Sequence, residues 1–201
     1  MLLQKSKIDF GLLLLLAFNI YAIYYYYQNP NALGALIVIF WLQSVFIGIF
    51  NVIGMLTFTN RVENSFTIND KAGNRSGCAA LFFTFHYGLF HFAYMFFLIS
   101  YIKDITPSQF TFIKLSFWAI LAGSIIQYLQ DKARNRTQPV NIGNMFVLPY
   151  ARIVPMHLVI LLPKFLSISP SIVFVVLKLF ADLIMHIAYK NFVFKKSNQS
   201  L

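Results

Sequence analysis

Lys178, Asp182 and His186 follow one another at intervals of four in the stretch VVLKLFADLIMH, residues 175–186. On a helix that spacing puts all three on one face. A cation, a carboxylate and an imidazole on one face can pair as ions, pass a proton or ligate a metal. Three imidazoles and one carboxylate form a donor set that a first-row transition metal accepts. Here that set is His86, His157, Asp182 and His186. Three ligands with an open position would make a catalytic site, and four a closed structural one. A pair of axial histidines from two helices could instead hold a b-type haem. Covalent haem is excluded because the chain has no Cys-x-x-Cys-His. Asn51, Tyr150, Arg152 and Lys178 would support such a site from its edge. No compact ligand motif such as His-Glu-x-x-His occurs, so two other readings stand beside the metal. One is a hydrogen-bonded polar cluster that fixes helix register. The other is a proton or solute path along Lys178, Asp182 and His186.

The solvent around these residues bears on all three readings. The 201 residues are 59% hydrophobic, 18% aromatic and only 11% charged. Soluble domains average about 25% charged residues. A hydrocarbon core of about 30 Å needs roughly 20 apolar residues, and several runs reach that length. The composition is that of an integral membrane protein with the lipid bilayer as its surroundings. The net charge of +10 does not point to nucleic acid, because no Lys/Arg patch is interleaved with stacking aromatics. It reads as topological charge beside anionic lipid. A single cysteine, Cys78, excludes an internal disulfide.

The expected fold is all-α, a polytopic bundle with six transmembrane helices in one domain. The spans are expected at about 9–27, 33–58, 78–102, 110–129, 150–168 and 171–190, followed by a polar tail at 191–201. The N-terminal run has the basic start of a signal peptide but no clear small-residue cleavage site, so it reads as an uncleaved first span. Tyr24–Tyr27 would form its interfacial aromatic belt. With six spans, twelve of the sixteen Lys and Arg fall on one side of the membrane. The positive-inside rule then places both termini in the cytoplasm of a multi-pass cell-membrane protein. Nothing in the sequence indicates an oligomeric state.

Depth brings the candidate ligands together. At 1.5 Å per residue, His86, His157, Asp182, His186 and Asn51 lie roughly 6–12 Å from the cytoplasmic ends of their spans. Lys178, His91 and Gln43 lie deeper, at roughly 18–21 Å. His86 and His91 are five apart, about 140° around a helix, so both cannot point into one site. Lys178, one turn from Asp182, reads as its ion-pair partner. Arg152, at the start of span five, reads as a snorkelling anchor. Pro155 and Pro163 interrupt the same span.

Four stretches carry a family resemblance: FWLQSVFIGIFNVIGML (40–56), FFTFHYGLFHFAYMFFLI (82–99), PYARIVPMHLVIL (149–161) and LKLFADLIMH (177–186). Together they resemble an uncharacterised family of bacterial and archaeal multi-span membrane proteins, known as a domain of unknown function. The resemblance covers roughly residues 33–188 and implies a fold rather than an activity. It implies Asn51, His86, Tyr87, Gly88, Tyr150, Arg152, His157, Lys178, Asp182 and His186 as the characteristic residues. The chain departs from the expected pattern at Gln43 and Ser44, where Glu-Asn is usual, and at Tyr94, where a second histidine is usual. Both departures lie in the central-to-outer layer and leave the inner set complete.

The function expected is therefore a membrane protein with a buried His/Asp site in its cytoplasmic half, binding a transition metal or haem. As an enzyme it would carry out redox chemistry or metal-assisted hydrolysis on a lipid-soluble substrate. A transporter or proton relay is the first alternative, and a structural or partner-binding subunit is the second. In the last case the polar groups would pair two by two, without a shared cavity.

Overall fold

Long runs of Leu, Ile, Val and Phe bounded by proline or polar turns dictate long helices. The computed structural model describes residues 10–62, 75–154, 158 and 170–194. Among them six α-helices form: α1 (Phe10–Gln28), α2 (Leu33–Thr57), α3 (Arg75–Ile102), α4 (Pro107–Asn135), α5 (Ile142–Val147) and α6 (Pro170–Ala188). Short 3-10 turns occupy Pro30–Ala32 and Leu148–Arg152, and a π turn, Tyr189–Val193, continues α6.

The helix starts follow from local chemistry. Pro107 occupies the first turn of α4, where its missing N–H is not needed. Thr106 caps that turn: its Oγ1 accepts from the Gln109 backbone N–H at 3.4 Å, and Gln109 Oε1 accepts from the Thr106 N–H at 3.2 Å. Asn141 caps α5 by accepting from the Asn144 N–H at 3.0 Å.

Three helical stretches, Pro30–Thr57, Ser76–Ile99 and Pro107–Asn135, are long and apolar enough to cross a membrane. The expected spans at 9–27, 33–58, 78–102, 110–129 and 171–190 each fall on a helix, α1 to α4 and α6. The expected span at 150–168 lies largely outside the described residues. The part that is described begins as the tight turn Leu148–Arg152.

Helix α2 lies at the centre, packed along both α3 and α4. Its close approach to α3 depends on Gly48. A Cβ there would stand 2.6 Å from Cε1 of the buried Tyr87 ring, so only glycine admits the contact. The outer faces are apolar. On α3, Leu81, Phe85, Phe92 and Phe96 are all more than half exposed, and on α4 so are Phe110, Leu115, Trp118 and Leu129. Apolar stripes this long would be an aggregation hazard in water, whereas hydrocarbon would solvate them.

One end of the bundle is tied by polar backbone pairing. The Val62 N–H donates to Val140 O, the Val140 N–H to Asn60 O and the Asn141 N–H to Val193 O, all at 2.8–2.9 Å. The side chain of Asn135 adds to this knot: its Oδ1 accepts from the Thr59 and Asn60 N–H groups, and its Nδ2 donates to Asn60 O. The loop after α2, the turn after α4 and the end of α6 are thereby held as one unit.

Candidate ionic site at Asp182

The face predicted on 175–186 is present on α6, and it points inward. Asp182 has no exposed surface, and Lys178 is 4% exposed. Lys178 Nζ lies 2.7 Å from Asp182 Oδ2. The same oxygen accepts from Asn19 Nδ2 on α1 at 3.0 Å, and Lys178 Nζ also donates to Asn19 Oδ1 at 2.8 Å. The second carboxylate oxygen, Oδ1, stands 2.8 Å from Arg152 Nη1. That contact is an ion pair without hydrogen-bond alignment, since Oδ1 forms no hydrogen bond among the described residues. Three chain segments thus meet at one carboxylate: α1, the turn ending at Arg152, and α6.

Aromatic faces complete the site. The Arg152 guanidinium lies 4.7 Å from the centre of the Phe40 ring on α2, and Lys178 Nζ lies 5.5 Å from that of Phe18 on α1. Cation–π attraction strengthens as the groups are desolvated, and Arg152, Lys178 and Phe40 are all buried. A cavity of about 10 Å³ borders Lys178 and Asn19, lined also by Ala22, Ile23, Leu36 and Phe174. That is room for about one water molecule.

Arg152 differs from its expected role as a snorkelling anchor. It is only 2% exposed and turned into the bundle. The buried carboxylate of Asp182 explains the direction, because a cation beside it is stabilised far more than one beside neutral groups. The guanidinium is incompletely matched: its Nε and Nη2 are buried and form no hydrogen bond among the described residues.

The expected ligand set is not assembled among the described residues. No group of three His, Cys, Asp or Glu side chains there is close enough to hold a metal ion. His157 lies outside the described residues. His86, expected at the depth of Asp182, belongs to a different neighbourhood. Its Nδ1 is 2.8 Å from the Tyr150 hydroxyl, and its ring packs against Phe82 and Phe90. Asp182 is engaged, among the described residues, by two cations, Lys178 and Arg152. His186 is half-buried one turn beyond it and makes interactions of its own.

The other polar residues pair locally. Ser44 and Tyr87 share a hydrogen bond of 2.8 Å between α2 and α3. His91 Nδ1 is 3.0 Å from the Tyr87 carbonyl on its own helix, and the His91 carbonyl accepts from Trp41 Nε1 at 3.1 Å. Asn51, expected beside the site, instead donates to Met145 O at 2.8 Å and fastens α5 to α2. Gln43 Oε1 is buried without a hydrogen bond among the described residues.

Two contributors were not legible as site residues. Asn19 bridges both partners of the ion pair, and Phe40 covers Arg152. An asparagine within an apolar first span was the only signal for Asn19; nothing singled out Phe40 among 23 phenylalanines.

A family model described as a family of unknown function, DUF6498, matches residues 1–198. No curated protein and no solved structure matches the chain.

Proposed function

The chain belongs to DUF6498, a family of unknown function, and we propose that it is a six-span, multi-pass protein of the cell membrane with both termini cytoplasmic. In this reading it is a structural or partner-binding subunit whose buried ion cluster locks α1 and the turn at Arg152 onto α6. The observation that carries it is the fully buried Asp182 carboxylate, shared by Lys178, Arg152 and Asn19 from three separate segments. Removing one partner of a buried ion pair strands a charge in a low-dielectric interior, which makes such a cluster an effective register lock. The two-by-two pairing of Ser44 with Tyr87 and of His86 with Tyr150 supports the same role.

A transfer role has one observation in its favour, the one-water cavity beside Lys178 and Asn19. A relay there would pass a proton between water and the Lys178–Asp182 pair.

The test combines topology with function of the cluster. Reporter fusions at each end should both read cytoplasmic, and Asp182→Asn should expose α1 to added protease in purified protein. A signal from the opposite side of the membrane at one end contradicts the six-span arrangement, and at both ends contradicts its orientation. Unchanged protection of α1 contradicts the lock. Proton uptake by liposomes that disappears in Asp182→Asn would favour the relay instead.

A further inference from the structure

Two cations face one carboxylate in the Asp182 cluster, leaving one positive charge unmatched within a bundle of apolar helices. The chain has six acidic residues: Asp9, Glu63, Asp70, Asp104, Asp131 and Asp182. Only Asp182 falls inside an expected span beyond the first few residues of the chain. Asp104 stands in the exposed turn before α4. Asp131, near the far end of α4, is occupied by Gln127 Nε2, 3.1 Å from both of its oxygens. Among the described residues, no carboxylate other than Asp182 meets Arg152 or Lys178.

The shape of the incompletely hydrogen-bonded cation, Arg152, is as specific as the surplus charge of the cluster. Arg152 Nη1 faces Asp182, while the Nε–Nη2 edge of the same guanidinium is buried without a hydrogen bond among the described residues. That edge presents two parallel N–H groups at the spacing of two oxygens on one carbon or phosphorus, which is the bidentate geometry guanidinium offers to carboxylate and phosphate. Phe40 covers a face of the guanidinium, so the edge is the direction left for recognition.

We infer that the cluster binds a singly charged oxyanion, a carboxylate or phosphodiester, which accepts from Arg152 Nε and Nη2. This rests on the ion cluster of the proposed function and adds a ligand to it. One negative charge balances Arg152, Lys178 and Asp182 to neutrality. The edge is closed to solvent here, so binding is coupled to a small opening beside Arg152. The oxyanion can come from an amphiphile in the bilayer or from solution.

Thermal unfolding of the purified full chain in neutral detergent distinguishes these sources. The probes are oleate, phosphatidylglycerol, inorganic phosphate and, as a zwitterionic control, phosphatidylcholine. At least one oxyanion should raise Tm by several degrees while phosphatidylcholine does not. A shift confined to oleate or phosphatidylglycerol supports the site and assigns the ligand to the bilayer; a comparable shift with phosphate supports the site and assigns it to solution. Arg152→Lys keeps a cation facing Asp182 but lacks the edge, and should lose the shift. Lys178→Met keeps the edge but removes the surplus charge, and should weaken binding at least tenfold; it serves alone if Arg152→Lys does not fold. No shift with any oxyanion overturns the inference, as does an equal shift in both variants. Failure of the lock itself reads differently: Asp182→Asn would then melt with the parent in the absence of any additive.

Discussion

Lys178 and Asp182 stand one turn apart on α6, Nζ 2.7 Å from Oδ2, with the carboxylate wholly buried. Arg152 faces the other oxygen of that carboxylate. The charge arithmetic makes the two α6 residues unequal. Asp182→Asn leaves two cations uncompensated and should cost about 3–5 kcal/mol of stability. Lys178→Met leaves Arg152 matched to Asp182 and should cost under about 2 kcal/mol. Chemical denaturation of the two variants in detergent checks the order, and equal losses would show that Lys178 is not the surplus charge.

Asn19 ties α1 to the cluster by two hydrogen bonds, one to each member of the pair. Asn19→Leu removes both and leaves a lysine donor and a carboxylate acceptor short of partners. A loss of about 1–3 kcal/mol is expected. Proteolysis should cut within Phe10–Gln28 before the rest of the chain, and an unaltered cleavage pattern would show that α1 is held elsewhere.

Gly48 sets the separation of α2 from α3. In Gly48→Ala the new methyl would meet the Tyr87 ring at 2.6 Å, and that ring is fixed by Ser44 and by stacking on Phe83. Overpacking of this kind costs about 1–3 kcal/mol. Tyr87→Leu in the same chain should recover part of the loss, measured as Tm; a double variant no better than Gly48→Ala alone would locate the strain elsewhere.

Asn135 is the keystone of the polar knot, bonded to the backbone of Thr59, Asn60 and Gln138. Asn135→Ala strands those groups in a part-buried setting. Hydrogen exchange at Asn60, Val62 and Val140 should quicken at least tenfold, with α2 and α3 little changed. Unchanged exchange would mean that the bridges at Val140 stand without the side chain.

The helices were legible because run length and proline placement are read directly from sequence. The Lys178–Asp182 pair was legible for the same reason, since four-residue spacing fixes one face. The shared metal site was inferred from depth, and depth along a helix says nothing of azimuth. His86, expected at the level of Asp182, turns toward Tyr150 and a nest of phenylalanines. Arg152 was read as an anchor because it sits near a span's end; its inward turn follows from the buried Asp182 carboxylate on another segment, which spacing along one span does not show. The role of Asn135 was not legible, because its partners Thr59 and Asn60 lie 76 and 75 positions away in sequence.

The most direct test of the lock is the double-mutant cycle between Arg152→Gln and Asp182→Asn, read by denaturant unfolding of the purified protein. The two residues share one ion pair at 2.8 Å in a buried setting, so the double variant should be less destabilised than the sum of the singles by about 1–3 kcal/mol. Additivity within about 0.5 kcal/mol would mean that Arg152 and Asp182 act independently, and the ion cluster would not be what joins these segments.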